Sequence, residues 1–102
     1  VKYGASWCNP CTKIQSTLDK CIKMCEDTNT NIKFVHLDYD DCEEFFDERE
    51  ISSLPTVELW LSGVCIDKIE GFKPDEVEKQ ITSRISLDLN MGDGDGEVDE
   101  DF

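Results

Sequence analysis

The stretch Trp7-Cys8-Asn9-Pro10-Cys11 constrains this chain more than any other part of it. Two cysteines separated by two residues can serve as a zinc half-site, a structural loop or a dithiol redox centre, and their flanks decide among these. Val1 to Ala5 before the pair is a short β-favouring run, and a long stretch with helical periodicity follows it. A C-x-x-C between a strand and a helix, in a chain that goes on alternating β and α, reads as a redox motif rather than a metal knuckle.

Geometry argues the same way against zinc. With a continuous helix, the 14 positions from Cys11 to Cys25 span about 21 Å at 1.5 Å per residue. Thiolates bind zinc at about 2.3 Å, so Cys8, Cys11, Cys21 and Cys25 cannot converge on one ion, and no metal is expected.

The apolar positions Cys11, Ile14, Leu18, Cys21, Ile22 and Cys25 recur every three or four residues and mark one face of that helix. Pro10 falls in its first turn, where a missing N–H is tolerated, and Asn29 and Asn31 mark the turn after it. Asn31 to Asp38 alternates and is rich in β-formers, so it is expected to be the second strand. Asp41 opens a second helix running to about Glu50, with Glu44 three residues on completing a capping box. Ser52-Ser53-Leu54-Pro55 breaks the chain, Thr56 to Leu61 is a third strand, and Ser62-Gly63 turns it into a fourth, Val64 to Ile69. Pro74 starts the last helix, with Asp75 and Glu76 at the positive end of its dipole and Val77, Ile81 and Ile85 as its apolar stripe.

The expected fold is therefore α/β in the order βαβαββα, with a four-stranded mixed sheet and three helices. One domain over residues 1–87 is expected, followed at 88–102 by an acidic, flexible tail. The net charge of −14 divides evenly: residues 1–85 carry 17 acidic and all 10 basic residues, and residues 86–102 carry 7 acidic residues alone. Such a balance argues against nucleic acid or an anionic membrane as partner, because phosphate binding needs clustered Lys and Arg. No run approaches the ~20 apolar residues of a membrane-spanning helix, and no signal-peptide pattern is present. The sequence opens on Val1 rather than methionine, which leaves room for residues upstream. Asp93 to Glu97 looks like the start of a calcium loop but lacks the glycine and the glutamate that complete one, so a solvated tail is expected.

Further along, Leu54-Pro55-Thr56 and the glycines Gly63 and Gly71, each eight residues after the last, complete a pattern with the cysteine motif. Together these features resemble the thioredoxin family over residues 1 to about 87. The resemblance implies a cis Pro55 facing the dithiol, Cys8 as nucleophile and Cys11 as the resolving thiol. It also implies supporting roles for Trp7, Asn9 and Pro10, and a substrate rim at Leu54, Thr56, Gly71 and Phe72, with a proline that keeps metal from the thiolates. The family's extra N-terminal strand and helix are not matched, which points to the minimal fold that glutaredoxins share. Asn9 stands where the family has glycine, Lys2 aligns with its buried acid, and His36 falls where many members carry lysine.

A cysteine at a helix N-terminus gains acidity from unpaired N–H groups and the dipole, and a second thiol nearby releases the mixed disulfide. A target backbone would pair with the loop before Pro55. Lys2 has two readings: it tunes the thiols from beneath, or it extends to solvent from a frayed strand. His36 is either a second tuning group or an ordinary packed or exposed residue. Cys21 and Cys25 are expected to be buried small hydrophobes, Cys65 a packing residue, and Cys42 a thiol disfavoured by the acids around it.

These features imply an enzyme, a thioredoxin-like protein-disulfide oxidoreductase cycling Cys8 and Cys11 as dithiol and disulfide with no other cofactor. Its partners would be disulfide-containing proteins and a reductase or glutathione as electron donor, with the chain monomeric in a reducing cytoplasm. A glutaredoxin-like, glutathione-dependent enzyme is an alternative, disfavoured by Trp7 and by the lack of a glycine pair before the last helix. A non-catalytic thioredoxin-fold binding or chaperone module using the acidic tail is another.

Overall fold

A computed structural model describes residues 1–93. Seven elements follow in the expected order: β1 (Lys2–Gly4), α1 (Asn9–Asp27), β2 (His36–Asp38), α2 (Glu43–Glu48), β3 (Thr56–Leu61), β4 (Val64–Glu70) and α3 (Pro74–Asp93). They form one four-stranded sheet in the order β2-β1-β3-β4. β1 runs parallel to β2 and antiparallel to β3, and β3 to β4 is an antiparallel hairpin.

Strand alternation sends neighbouring side chains to opposite faces, and each face of the sheet has its own cover. Val57 and Ile69 meet Ile14, Leu18, Cys21 and Cys25 of α1 and Val77, Ile81 and Ile85 of α3 in the main core. All five buried residues of α1 lie on the predicted stripe, and burying a side chain the size of Ile14 or Leu18 contributes about 1.5–3 kcal/mol. On the opposite face, Phe46 of α2 meets Tyr3 edge-on at 5.2 Å and Tyr39 at 5.3 Å.

Turn chemistry follows from the residues. Ser62 and Gly63 both have positive φ, 53° and 82°, which is the two-residue turn whose twist suits a hairpin. A bulge between Leu59 and Trp60 shifts the register so that Trp60 faces Cys65. At the end of α1, Thr28 donates its N–H to Met24 and Thr30 donates to Cys25, while Asn29 takes the left-handed conformation at φ 54°.

Three expectations change. β2 covers His36–Asp38 and not 31–38, because its partner β1 is three residues long with Lys2 opposite His36. Phe34, Val35, Leu59 and Trp60 instead line a groove of about 700 Å³ at that end of the sheet. The Asp41–Glu44 capping box does not form: Cys42 is the N-cap of α2 and makes no side-chain cap bond. The preceding turn is organised by Asp38, whose carbonyl accepts from the N–H groups of Asp41 and Cys42. Finally, α3 continues past residue 87 to Asp93. The stretch from Asp93 to Glu97, expected to be part of a solvated tail, extends beyond Asp93, outside the described residues.

Candidate functional site

The loop after β1 delivers Cys8 to the N-terminus of α1, where it is the N-cap residue with extended backbone. Its Sγ accepts the N–H of Cys11 at 3.3 Å, and its carbonyl accepts the N–H of Thr12 at 3.2 Å. One of the helix's unpaired donors therefore points at this sulfur, and no acidic side chain occupies the first turn to oppose a negative charge there. Cys8 and Cys11 are joined as a disulfide, with Cα atoms 5.3 Å apart. Cys8 is 9% exposed and Cys11 1%, so the sulfur at the helix tip is the more accessible of the two.

The surroundings come from four separate segments. Trp7 is 63% exposed, sits edge-on to Tyr39 at 6.3 Å, and turns its indole N–H toward Asp40. Asn9 and Pro10 are exposed on the first turn. Leu54 packs with Tyr39 against Ala5, Cys8 and Cys11. The Leu54–Pro55 bond is cis, and the carbonyl of Pro55 accepts the N–H of Gly71 at 2.8 Å, which ties this loop to the one bearing exposed Phe72. Thr56 departs from the expected rim. It is fully buried, because as the first residue of β3 it is paired with both Tyr3 and Glu70.

Lys2 does not extend to solvent. It is 8% exposed and donates from Nζ to Oε1 of Gln15 at 2.7 Å. Burial pushes its pKa down, against the pull of Asp19 and Asp38 in the other direction. His36 is exposed on β2 and, with Lys2, Cys11, Gln15 and Asp38, lines an open cleft of about 260 Å³. Partial burial lowers the His36 pKa, the nearby Lys2 charge lowers it further, and Asp38 opposes both. The remaining cysteines are not part of the buried cluster around Cys8 and Cys11. Cys21 and Cys25 are buried; burial, the largest cause, pushes the Cys21 thiol up to about 11 and raises Cys25 as well. Cys65 is half-buried and its thiol reaches the carbonyl of Asp67.

Sequence reasoning missed Gly4, Gln15 and Glu58. A Cβ on Gly4 would lie 3.3 Å from Cys11 Cβ, and a glycine inside the β-favouring run Val1–Ala5 is a sign of such close approach. Glu58 sits in the apolar run Thr56–Leu61, and its side chain is completely buried. It accepts from Tyr3 Oη at 2.7 Å, from Arg49 Nη2 at 2.8 Å and Nε at 3.1 Å, and from Trp60 Nε1 at 3.2 Å. The signal was available: a charge in a central strand demands a buried partner.

A paired-cysteine loop capping a helix, faced by a cis-proline loop on a βαβαββα frame, defines a protein of the thioredoxin fold. The family model described as Thioredoxin matches residues 1–83. Thioredoxin H2 of Arabidopsis thaliana is 34% identical over 82 residues, which is 80% of this chain and 59% of that protein. Thioredoxin-3, mitochondrial, of Saccharomyces cerevisiae is 35% identical over 81 residues, 79% of this chain and 61% of the relative. The chain thus spans about three fifths of the length of these two curated relatives. The crystal structure of the oxidised form of mitochondrial thioredoxin 3 from the same yeast matches with a TM-score of 0.71 and 34% identity, covering 80% of this chain and 74% of that one. The chain belongs to the thioredoxin family.

Proposed function

We propose that this chain is a thiol–disulfide oxidoreductase that reduces protein disulfides by cycling Cys8 and Cys11 between dithiol and disulfide. The observation that carries the reading is the disulfide at the N-terminus of α1, with Sγ of Cys8 accepting a helix N–H. In the reduced state the same N–H stabilises a thiolate on Cys8, the nucleophile that exchange requires. The Cys8 thiolate attacks one sulfur of the target disulfide and the other leaves as a thiol. Cys11 then attacks Cys8, which closes the ring and releases the second target thiol.

Trp7, next to Cys8 in the chain, and Phe72, next to the Gly71 that bonds Pro55, are both exposed. They supply an apolar rim for an unfolded or extended target segment, whose backbone would lie along Leu54 and Pro55. The cysteine pair is the only redox group the reaction uses, and one copy of the chain contains it, so a monomer suffices. Regeneration calls for a disulfide reductase or glutathione in a reducing compartment such as the cytoplasm. No helix among the described residues is long and apolar enough to cross a membrane.

Insulin reduction tests the reading. Wild-type protein supplied with NADPH and thioredoxin reductase, or with glutathione, is expected to precipitate insulin chains, and Cys8→Ser to stay at background. The preferred donor distinguishes thioredoxin-like from glutaredoxin-like turnover, and inactivity with both donors would refute an enzymatic role.

A further inference from the structure

Gly4, Lys2 and Cys11 meet at one point beneath the disulfide. A Cβ built on Gly4 would lie 3.3 Å from Lys2 Cε and 3.4 Å from Cys11 Sγ, so only the absent side chain of a glycine separates the lysine stem from the inner sulfur. Lys2 projects from β1 on the α1 side of the sheet, and its Nζ is held by Gln15, one helical turn beyond Cys11. The cleft lined by Lys2, Cys11, Gln15, His36 and Asp38 is open to water on its outer side. The inner sulfur, on a residue 1% exposed, therefore has a lysine neighbour and an open cleft beside it.

We infer that Lys2 is a positioning residue for the resolving thiol: its ammonium group stabilises the Cys11 thiolate and so favours the dithiol over the disulfide. This rests on the exchange chemistry proposed above. In the mixed disulfide, Cys11 yields its proton to water in the cleft and its thiolate attacks Sγ of Cys8. The Cys8–target bond breaks, the Cys8–Cys11 bond forms, and the target sulfur leaves as a thiolate that takes up a proton from water. The two cysteines are oxidised and the target is reduced by the same electron pair. Lys2 takes no part in bond making and acts through charge alone, since an opposite charge nearby favours the ionised form. Asp19 of α1 and Asp38 of β2 face Lys2 and favour its ammonium form, opposing the downward pull of burial. His36, the remaining titratable group in the cleft, is held toward its neutral form by burial and by Lys2, which leaves the lysine as the cation beside the sulfur.

The test reads Cys11 directly. In reduced Cys8→Ser protein, the Cβ resonance of Cys11 is titrated by NMR with and without Lys2→Met, Lys2→Arg and Gln15→Leu. In protein with both cysteines, the disulfide is equilibrated against dithiothreitol. Lys2→Met is expected to move the Cys11 titration up by about one pH unit and, with the equilibrium measured at a pH above that titration, to make the disulfide about tenfold harder to reduce. Lys2→Arg is expected to stay within about threefold of wild type, and Gln15→Leu, which frees the ammonium from its tether, to shift both readouts the same way by about threefold. Unchanged values in Lys2→Met overturn the inference, as does an arginine variant that shifts as far as the methionine one. If Lys2→Met does not fold, Gln15→Leu on the helix surface decides, and its failure to move either readout counts against Lys2. Wild-type protein inactive toward insulin would refute the exchange reading alone, because the Cys11 titration in Cys8→Ser needs no turnover.

Discussion

Replacing Glu58 by glutamine keeps the side chain's shape and removes the charge on which four hydrogen-bond donors converge. The carboxylate is fully buried, whereas 35% of the Arg49 side chain reaches solvent. Breaking a buried pair by removing one partner costs about 3–5 kcal/mol, and each hydrogen bond to a charged group contributes about 1.5–3 kcal/mol. An amide nitrogen in place of one carboxylate oxygen would point a donor at donors, but Arg49 can recover water. The lower end of the range, about 3 kcal/mol, therefore applies. For a chain of this size a urea slope near 1.5 kcal/mol/M turns that into a midpoint lower by about 2 M.

The pH dependence of that gap identifies its origin. Burial pushes the Glu58 carboxyl up, but bonds from Arg49, Tyr3 and Trp60 more than offset this and hold it below its ordinary 4.5. A carboxyl depressed in the folded state stabilises it fully above the unfolded pKa, and that contribution is lost as pH falls through the folded value. The difference between wild type and Glu58→Gln should thus be complete at pH 7 and should shrink below about pH 4. Urea titrations of both proteins at pH 7, 5 and 3 measure it. Equal midpoints at pH 7, or a gap that persists undiminished at pH 3, would show that the charge cluster does not stabilise the fold.

Two further perturbations probe the frame around the cysteines. Gly4→Ala would place a methyl 3.3 Å from both Cys11 Cβ and Lys2 Cε; overpacking costs about 1–3 kcal/mol and the loss of glycine's unfolded freedom returns about 0.4–1, leaving about 1 kcal/mol net. Thermal unfolding should fall by about 4–8 °C, and an unchanged midpoint would mean the contact is not tight. Phe46→Ala empties the aromatic core under α2, where the ring is 1% exposed between Tyr3 and Tyr39; a loss of about 3–5 kcal/mol is expected in urea unfolding, and a loss under 1 kcal/mol would place that ring outside the core.

What was readable in the sequence was local. The α1 stripe is a matter of spacing three and four, and the hairpin at Ser62-Gly63 is a matter of which residues accept positive φ; both appear where those rules put them. The elements that moved depend on partners far along the chain. Phe34 and Val35 are good β-formers, yet the β1–β2 ladder begins at the Lys2–His36 pair, so propensity alone could not extend the strand. Asp41 and Glu44 had the spacing of a capping box, but Asp38 claimed the turn first. The site divides the same way. Cys8, Cys11 and Pro55 are visible as motif residues, whereas the burial of Thr56 and the inward course of Lys2 follow from sheet pairing and from Gln15 on another element.

Three of the six cysteines sit within the single helix α1, with a fourth as its cap. A protein that hands disulfides from one sulfur to another, as proposed above for this chain, would risk scrambling its own. At its N-terminus, backbone N–H groups make sulfur reactive; at Cys21 the loss of water has pushed the thiol up to about 11, leaving about one molecule in ten thousand as thiolate at pH 7. Cys25 is raised in the same direction. The helix thus has a chemically live tip and an inert shaft. Under the proposed function, exchange would be confined to the pair at its mouth, while the deeper sulfurs Cys21 and Cys25 serve as packing.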